Sequence, residues 1–205
     1  MIRILVAEDH VVARVGVTTI VNKQRDMRVV AEASNGREAV ELYRAHLPDI
    51  ALLDMRMPIL SGIDATLAIR SQFPAARIIA LTSYSGDADI SRALKAGVQA
   101  YLTKDLLQDE LLTAIRVVHK GGTYVPRPLA SVLSAQGSRP DLTPRELQVL
   151  ELIVRGLVNK QIAFSLNLSE FTVKNHVKRL LNKLGVQDRT QAATVAIERG
   201  IIHLR

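Results

Sequence analysis

The stretch "DIALLDMRMPILSG" (49–62) holds an unbroken apolar run, Ile50 to Leu53, that stops abruptly at a carboxylate, Asp54. A short run of this kind reads as a strand covered on both faces, and Asp is a common residue where a strand turns. Taken alone the stretch leaves two roles open for Asp54. It ends a strand, or it does chemistry at the strand's tip.

Four more runs, "RILVA" (3–7), "RVVAE" (28–32), "RIIAL" (77–81) and "AYL" (100–102), have the same character. Between them lie amphipathic stretches of helical length; "NGREAVELYRA" (35–45) is the clearest, with Ala39, Val40, Leu42 and Tyr43 at helical spacing. Five βα units within residues 1–120 predict an open, doubly wound, five-stranded parallel sheet. Ligands of such sheets bind outside the carboxyl ends of the strands, where Asp54 sits.

The other predicted tips carry chemistry too. Strand one ends in "AEDH" with Glu8 and Asp9, strand four in "ALTS" with Thr82, and strand five is followed by Lys104 in "TKD". If strand one is central, these tips converge. Three crowded carboxylates repel one another and favour a divalent cation, and an oxygen-only set suits magnesium. Lys104 and Thr82 would supply charge and a hydrogen-bond donor to a phosphoryl group, and Asp is a known covalent phosphoryl acceptor. Each residue also has a plain structural role: Glu8 and Asp9 as caps of the following helix, Lys104 as a solvated base. Their joint appearance at successive tips favours phosphoryl transfer onto Asp54. His10 reads as a helix-start residue, and His46, His119 and His203 show no ligand spacing, so no transition-metal site is assigned.

Bulk composition narrows the classes. Cysteine is absent, which removes disulfides, thiol catalysis and thiolate metal sites. The N-terminus becomes acidic too early for a signal peptide, and no apolar run approaches a membrane span, so a cytoplasmic protein without membrane association is expected. The net charge of +7 is unevenly spread: residues 1–125 hold 15 Lys/Arg and 14 Asp/Glu, whereas residues 126–205 hold 12 and 6. A basic C-terminal part predicts a polyanion partner.

Residues 121–141 read as a linker with a short helix at "PLASVLSAQ" (128–136). From 142 to 205 the pattern is wholly helical, with helices predicted over 143–156, 159–167, 169–185 and 189–200. The first starts with a Thr143 cap, Pro144 and Glu146. The second and third form a helix-turn-helix, which would place the longer helix in a major groove of double-stranded DNA. On that helix Lys174, Asn175 and Lys178 share a face opposite the stripe of Val173, Val177, Leu180, Leu181 and Leu184. Lys160, Lys174, Lys178, Arg179 and Lys183 face only Glu170 in charge between 160 and 183.

Glu8-Asp9, "LLDMRMPILSG", "LTS" and "YLTKD" together resemble the receiver domain of bacterial two-component response regulators over residues 1–120. The resemblance implies that Asp54 accepts phosphoryl from a sensor histidine kinase. It implies magnesium on Asp9, Asp54 and the backbone carbonyl of Arg56, with Glu8 acting through water. Lys104 and Thr82 would engage the phosphoryl group, and Tyr101 would turn inward. The run "LTPRELQVLELIVRGLVNKQIAFSLNLSEFTVKNHVKRLLNKLGVQDRTQAA" (142–193) resembles the LuxR-type (NarL/FixJ) helix-turn-helix domain. This second resemblance points to Lys174, Asn175 and Lys178 at bases, Thr172 and Lys160 near the DNA backbone, and the last helix as contact of a homodimer formed on activation. The expected protein is therefore a phosphorylation-controlled transcription regulator and not an enzyme beyond weak autodephosphorylation. A phosphatase is disfavoured because Arg56, not a second Asp, stands two residues after Asp54. A constitutive DNA-binding protein is disfavoured by the intact Asp54, Thr82 and Lys104.

Overall fold

The computed structural model describes residues 1–83, 86–104, 108–126 and 142–202. The helix expected at 128–136 and His203 lie outside the described residues. The chain divides into two compact units, an N-terminal α/β unit and a C-terminal helical one.

The first unit runs β1 (Ile2–Ala7), α1 (Val11–Asn22), β2 (Met27–Ala33), α2 (Gly36–His46), β3 (Ile50–Asp54), α3 (Gly62–Gln72), β4 (Ile78–Thr82), α4 (Asp87–Ala96), β5 (Ala100–Thr103) and α5 (Gln108–His119). All strand pairs are parallel, in the order β2-β1-β3-β4-β5. One expectation needs correction: β3, not β1, is the middle strand. The chain winds from β1 outward to β2, then crosses back to β3 and continues to the other edge. The direction reverses between β1 and β3, and that reversal opens the crevice between their carboxyl ends.

Every residue of β3 and β4 is buried, as unbroken apolar runs require when helices cover both faces. Alternation sends Ile4, Val6, Leu52, Ile79 and Leu81 towards a cluster with Leu112 and Ile115 of α5. The register pairs Ala80 with Tyr101 and Thr82 with Thr103, so Thr82 and Tyr101 project to the same face. Beyond β5 the chain returns to the sheet. Tyr124 forms a parallel bridge with Ala100, its N–H donates to Gln99 O at 2.9 Å, and its ring packs on the core. The segment read as the start of a linker thus begins by covering the β5 edge.

The second unit holds α6 (Pro144–Val154), α7 (Asn159–Leu166), α8 (Glu170–Leu184) and α9 (Arg189–Glu198). Thr143 and Glu146 form a reciprocal capping box on α6. Asn167, left-handed at φ 52°, ends α7, and the Ser169 side chain caps α8 by accepting from Thr172 N. Val149, Leu150, Ile153, Ile162, Val173, Leu180 and Ala192 fill the core between the four helices.

Candidate functional site

Asp54 ends β3 and is 2% exposed. The loop behind it is packed too tightly for side chains at two points. A Cβ on Gly62 would stand 2.0 Å from Asp54 O, and one on Gly36 would stand 2.1 Å from Leu60 O. Ile59 holds φ 69°, a left-handed conformation that a β-branched residue rarely adopts. The turn also fixes the carboxylate, whose Oδ1 accepts from Arg56 N at 3.0 Å.

Lys104 follows β5 and is anchored through its backbone N–H, which donates to Thr82 O at 2.7 Å. Its ammonium bridges two tips, 2.7 Å from Glu8 Oε2 and 2.9 Å from Asp54 Oδ2. Burial raises the Asp54 carboxyl above its ordinary value of 3.8, against the lowering effects of the Arg56 N–H and Lys104. Burial works against the charge on Lys104 too, but its hydrogen bonds to Glu8 and Asp54 outweigh this and hold the ammonium above its ordinary 10.5. Arg14 donates to Glu8 O at 2.5 Å and so steadies the strand-one tip.

The residues present fit a divalent cation. Glu8, Asp9, His10 and Asp54 each offer a ligand atom, all within 4.8 Å of one another. Asp9 Oδ1 is buried yet accepts no hydrogen bond, an arrangement that leaves a lone pair for a metal. His10 is the member of this group that sequence reasoning passed over as a helix start. It is indeed the N-cap of α1, but its ring turns back to the carboxylates. Its adjacency to Glu8 and Asp9 at one strand tip was the available signal. Thr82 is 2% exposed at the end of β4. Tyr101, expected to turn inward, is already fully buried here, so any movement of the ring starts from that position.

In the second unit Lys160, Lys174, Asn175, Lys178 and Arg179 line the surface of α7 and α8, and Thr172 is half-buried with Oγ1 2.8 Å from Ser169 Oγ. Lys174 and Lys178 border a groove of about 500 Å³ with Asn159, Val177, Asn182 and Gln187. Lys183, counted among the bases between 160 and 183, has an ion-pair partner on another helix. Its ammonium pairs with Glu146 Oε2 at 2.7 Å and ties α8 to the cap of α6.

An acidic crevice in a doubly wound unit, joined to a basic helix-turn-helix unit, defines a two-domain regulator. Comparisons with known proteins specify it. Residues 4–116 match the response regulator receiver domain, and residues 140–196 match the bacterial regulatory proteins of the luxR family. The chain belongs to the response regulators with a LuxR-type DNA-binding domain. It is 36% identical to the transcriptional regulatory protein LnrK of Bacillus subtilis, over 98% of this chain and 99% of the relative. It is 34% identical to the response regulator protein VraR of Staphylococcus aureus, with the same coverage of 98% and 99%. The crystal structure of ChrA, a response regulator of a heme-sensing two-component system, matches with a TM-score of 0.59 and 34% identity over 98% of both chains. Among the described residues no helix is long and apolar enough to cross a membrane.

Proposed function

We propose that Asp54 accepts a phosphoryl group from a sensor histidine kinase in the cytoplasm, and that this controls sequence-specific DNA binding by a homodimer. The single observation that carries the proposal is the buried Asp54 carboxylate held 2.9 Å from the Lys104 ammonium at the crevice between strand tips. Asp9, Asp54 and the Arg56 carbonyl would hold magnesium, with Glu8 assisting through water, and the ion would supply positive charge to the phosphoryl oxygens. Three carboxylates and one ammonium leave two negative charges in the pocket, which a divalent cation balances. A carboxylate oxygen of Asp54 attacks phosphorus, the N–P bond of the phosphohistidine breaks, and its electron pair returns to the imidazole. Asp54 enters as the anion, and Lys104 stabilises both that anion and the acyl phosphate.

Thr82 and Tyr101 carry the change onward because they share one face of the sheet. The hydroxyl of Thr82 moves towards the phosphoryl group, and Tyr101 follows the space it vacates. Receiver, linker and output occupy residues 1–120, 121–141 and 142–205. In the output domain Lys174, Asn175 and Lys178 meet base edges, while Lys160 and Thr172 hold the DNA backbone. The last helix, α9, contacts the second copy through the side that leaves Ile197 exposed.

Fluorescence anisotropy tests this on a DNA site selected from a random pool. Treatment with magnesium and an acyl-phosphate donor is expected to tighten binding by about 5–150-fold, a usual range for coupled sites. Asp54→Ala is expected to bind at the untreated level throughout. Equal affinity of treated and untreated wild type would overturn the proposal.

A further inference from the structure

Phenylalanine is scarce in this chain, with three residues and no tryptophan beside them. Phe73 packs its ring against Tyr43 at a centroid distance of 5.3 Å. Phe171, in contrast, stands 73% exposed in the first turn of α8, just after the Ser169 cap. A ring left in water forgoes the stabilisation that burial gives. Its place on the helix is the second observation. Phe171, Lys174, Asn175 and Lys178 follow the spacing i, i+3, i+4 and i+7, so one stripe of α8 carries all four, and all four are exposed. Val173, Leu180 and Leu184, the buried residues of α8, lie on the opposite side. The phenyl ring is the apolar member of this stripe and the one nearest the helix N-terminus. Phe164, more exposed still at 89%, lies on α7 and outside it.

We infer that Phe171 is a specificity-determining residue that reads the C5-methyl group of thymine in the major groove. The inference rests on the DNA-binding reading proposed above and adds the base that the apolar member of the stripe selects. Base edges in the major groove carry hydrogen-bond donors and acceptors and a single apolar group, the thymine methyl. Lysine donates to guanine O6 and N7, and asparagine pairs with adenine, so the three polar residues of the stripe leave that methyl unread. A phenyl ring offers no hydrogen bond to a phosphate or a polar base edge, but it takes a methyl group out of water. Cytosine carries only hydrogen at C5, so the ring favours thymine over cytosine. Placement agrees with the chemistry, because recognition helices present their N-terminal residues to base edges. At a rise of about 1.5 Å per residue, Phe171 stands about 4.5–6 Å along the helix axis from Lys174 and Asn175. That separation is comparable with the base-pair step of about 3.4 Å, so the ring meets a base pair next to theirs.

The test uses the full chain, treated with magnesium and an acyl-phosphate donor, and a DNA site that the wild type selects from a random pool. Each thymine of the site is replaced in turn by deoxyuridine, which lacks the methyl group and pairs with adenine in the same way. Fluorescence anisotropy compares wild type, Phe171→Ala and Lys160→Ala on every duplex. Wild type is expected to lose about 4-fold in affinity at one or two of the thymines, the worth of one buried methyl group. Phe171→Ala is expected to bind the thymine and deoxyuridine duplexes equally at those positions, with its melting temperature at the wild-type value. Lys160→Ala, which removes a backbone contact, is expected to bind more weakly throughout and to keep the difference between the two bases. Wild-type affinity unchanged at every thymine, or an undiminished difference in Phe171→Ala, overturns the inference while leaving DNA binding standing. Failure of wild type to select any sequence overturns both.

Discussion

Asp54 and Lys104 are partners whose removal should act in opposite directions. Burial raises the Asp54 pKa, so the stability this group contributes is complete below its ordinary value of 3.8 and is lost as pH rises through the higher folded value. At neutral pH without divalent cation the ionised group is a liability. Asp54→Asn is therefore expected to raise the melting temperature of the receiver unit at pH 7, with the gain shrinking as pH falls towards 4. Calorimetry across that range checks it, and a variant less stable than wild type at pH 7 would sink the argument. Lys104 has its pKa raised, so its contribution is present below 10.5 and lost above the folded value. Lys104→Met leaves Glu8 and Asp54 facing each other unpaired and is expected to cost about 3–5 kcal/mol at pH 7, the range for breaking a buried pair. Denaturant unfolding measures it; a loss below about 1 kcal/mol would mean that the pair behaves as an exposed one. Asp54, Glu8, Asp9, Thr82 and Lys104 were legible because each stands at or just past the end of an apolar run. His10 was not. Its place depends on which way a ring turns at a helix start, and no spacing rule encodes that. The partner of Lys183 was not legible either: a helical wheel shows which face a base is on, not that Glu146 of another helix waits there.

Elements impose their own tolerances. The loop after Asp54 exists in its observed form only because position 62 lacks a side chain. Gly62→Ala is expected to destabilise the receiver unit by about 1–3 kcal/mol through overpacking and to displace the Asp54 backbone. Chemical denaturation together with loss of phosphoryl uptake would show both effects, and wild-type values in both would contradict the close packing. In the helical unit Glu146 works through its environment. Burial tends to raise its pKa, but the Lys183 ammonium and the Thr143 N–H outweigh this and hold the carboxyl below its ordinary 4.5. Its stabilisation is therefore present above 4.5 and is lost as pH falls through the lower folded value. Lys183→Met is expected to lower stability by about 1–3 kcal/mol at pH 7, as loss of a buried partner does, and by less at pH 3. A pH-independent effect would assign Lys183 a packing role instead. The strands and the four C-terminal helices were readable from runs, caps and breakers, since these patterns are local. The Tyr124 bridge was not, because main-chain pairing along an edge leaves no mark in "GGTYVP".

For the molecule as a whole, charge is divided unevenly between the units, the receiver being nearly neutral and the output unit basic. Binding to DNA should therefore depend steeply on salt. Lys160→Ala is expected to weaken binding evenly across sequences and to reduce the slope of log affinity against log salt by about 0.9 for each phosphate no longer neutralised. Lys178→Ala is expected to change which sequences are preferred. Affinities for a panel of DNA sites at several salt concentrations separate the two, and the opposite assignment would exchange the roles given to α7 and α8. Coupling such binding to the crevice is energetically modest, since moving an equilibrium from 1:99 to 99:1 takes about 5.5 kcal/mol of differential stabilisation. In the proposed mechanism that coupling starts from one covalent event at the end of β3. The most direct measurement is intact mass after incubation with magnesium and a small acyl-phosphate donor, comparing wild type with Asp54→Ala. A single phosphoryl adduct on wild type, absent from the variant and absent when magnesium is withheld, is the predicted result. An adduct that persists in Asp54→Ala, or no adduct on wild type with donor or with a phosphorylated histidine kinase domain, would contradict the assignment of Asp54 as the acceptor.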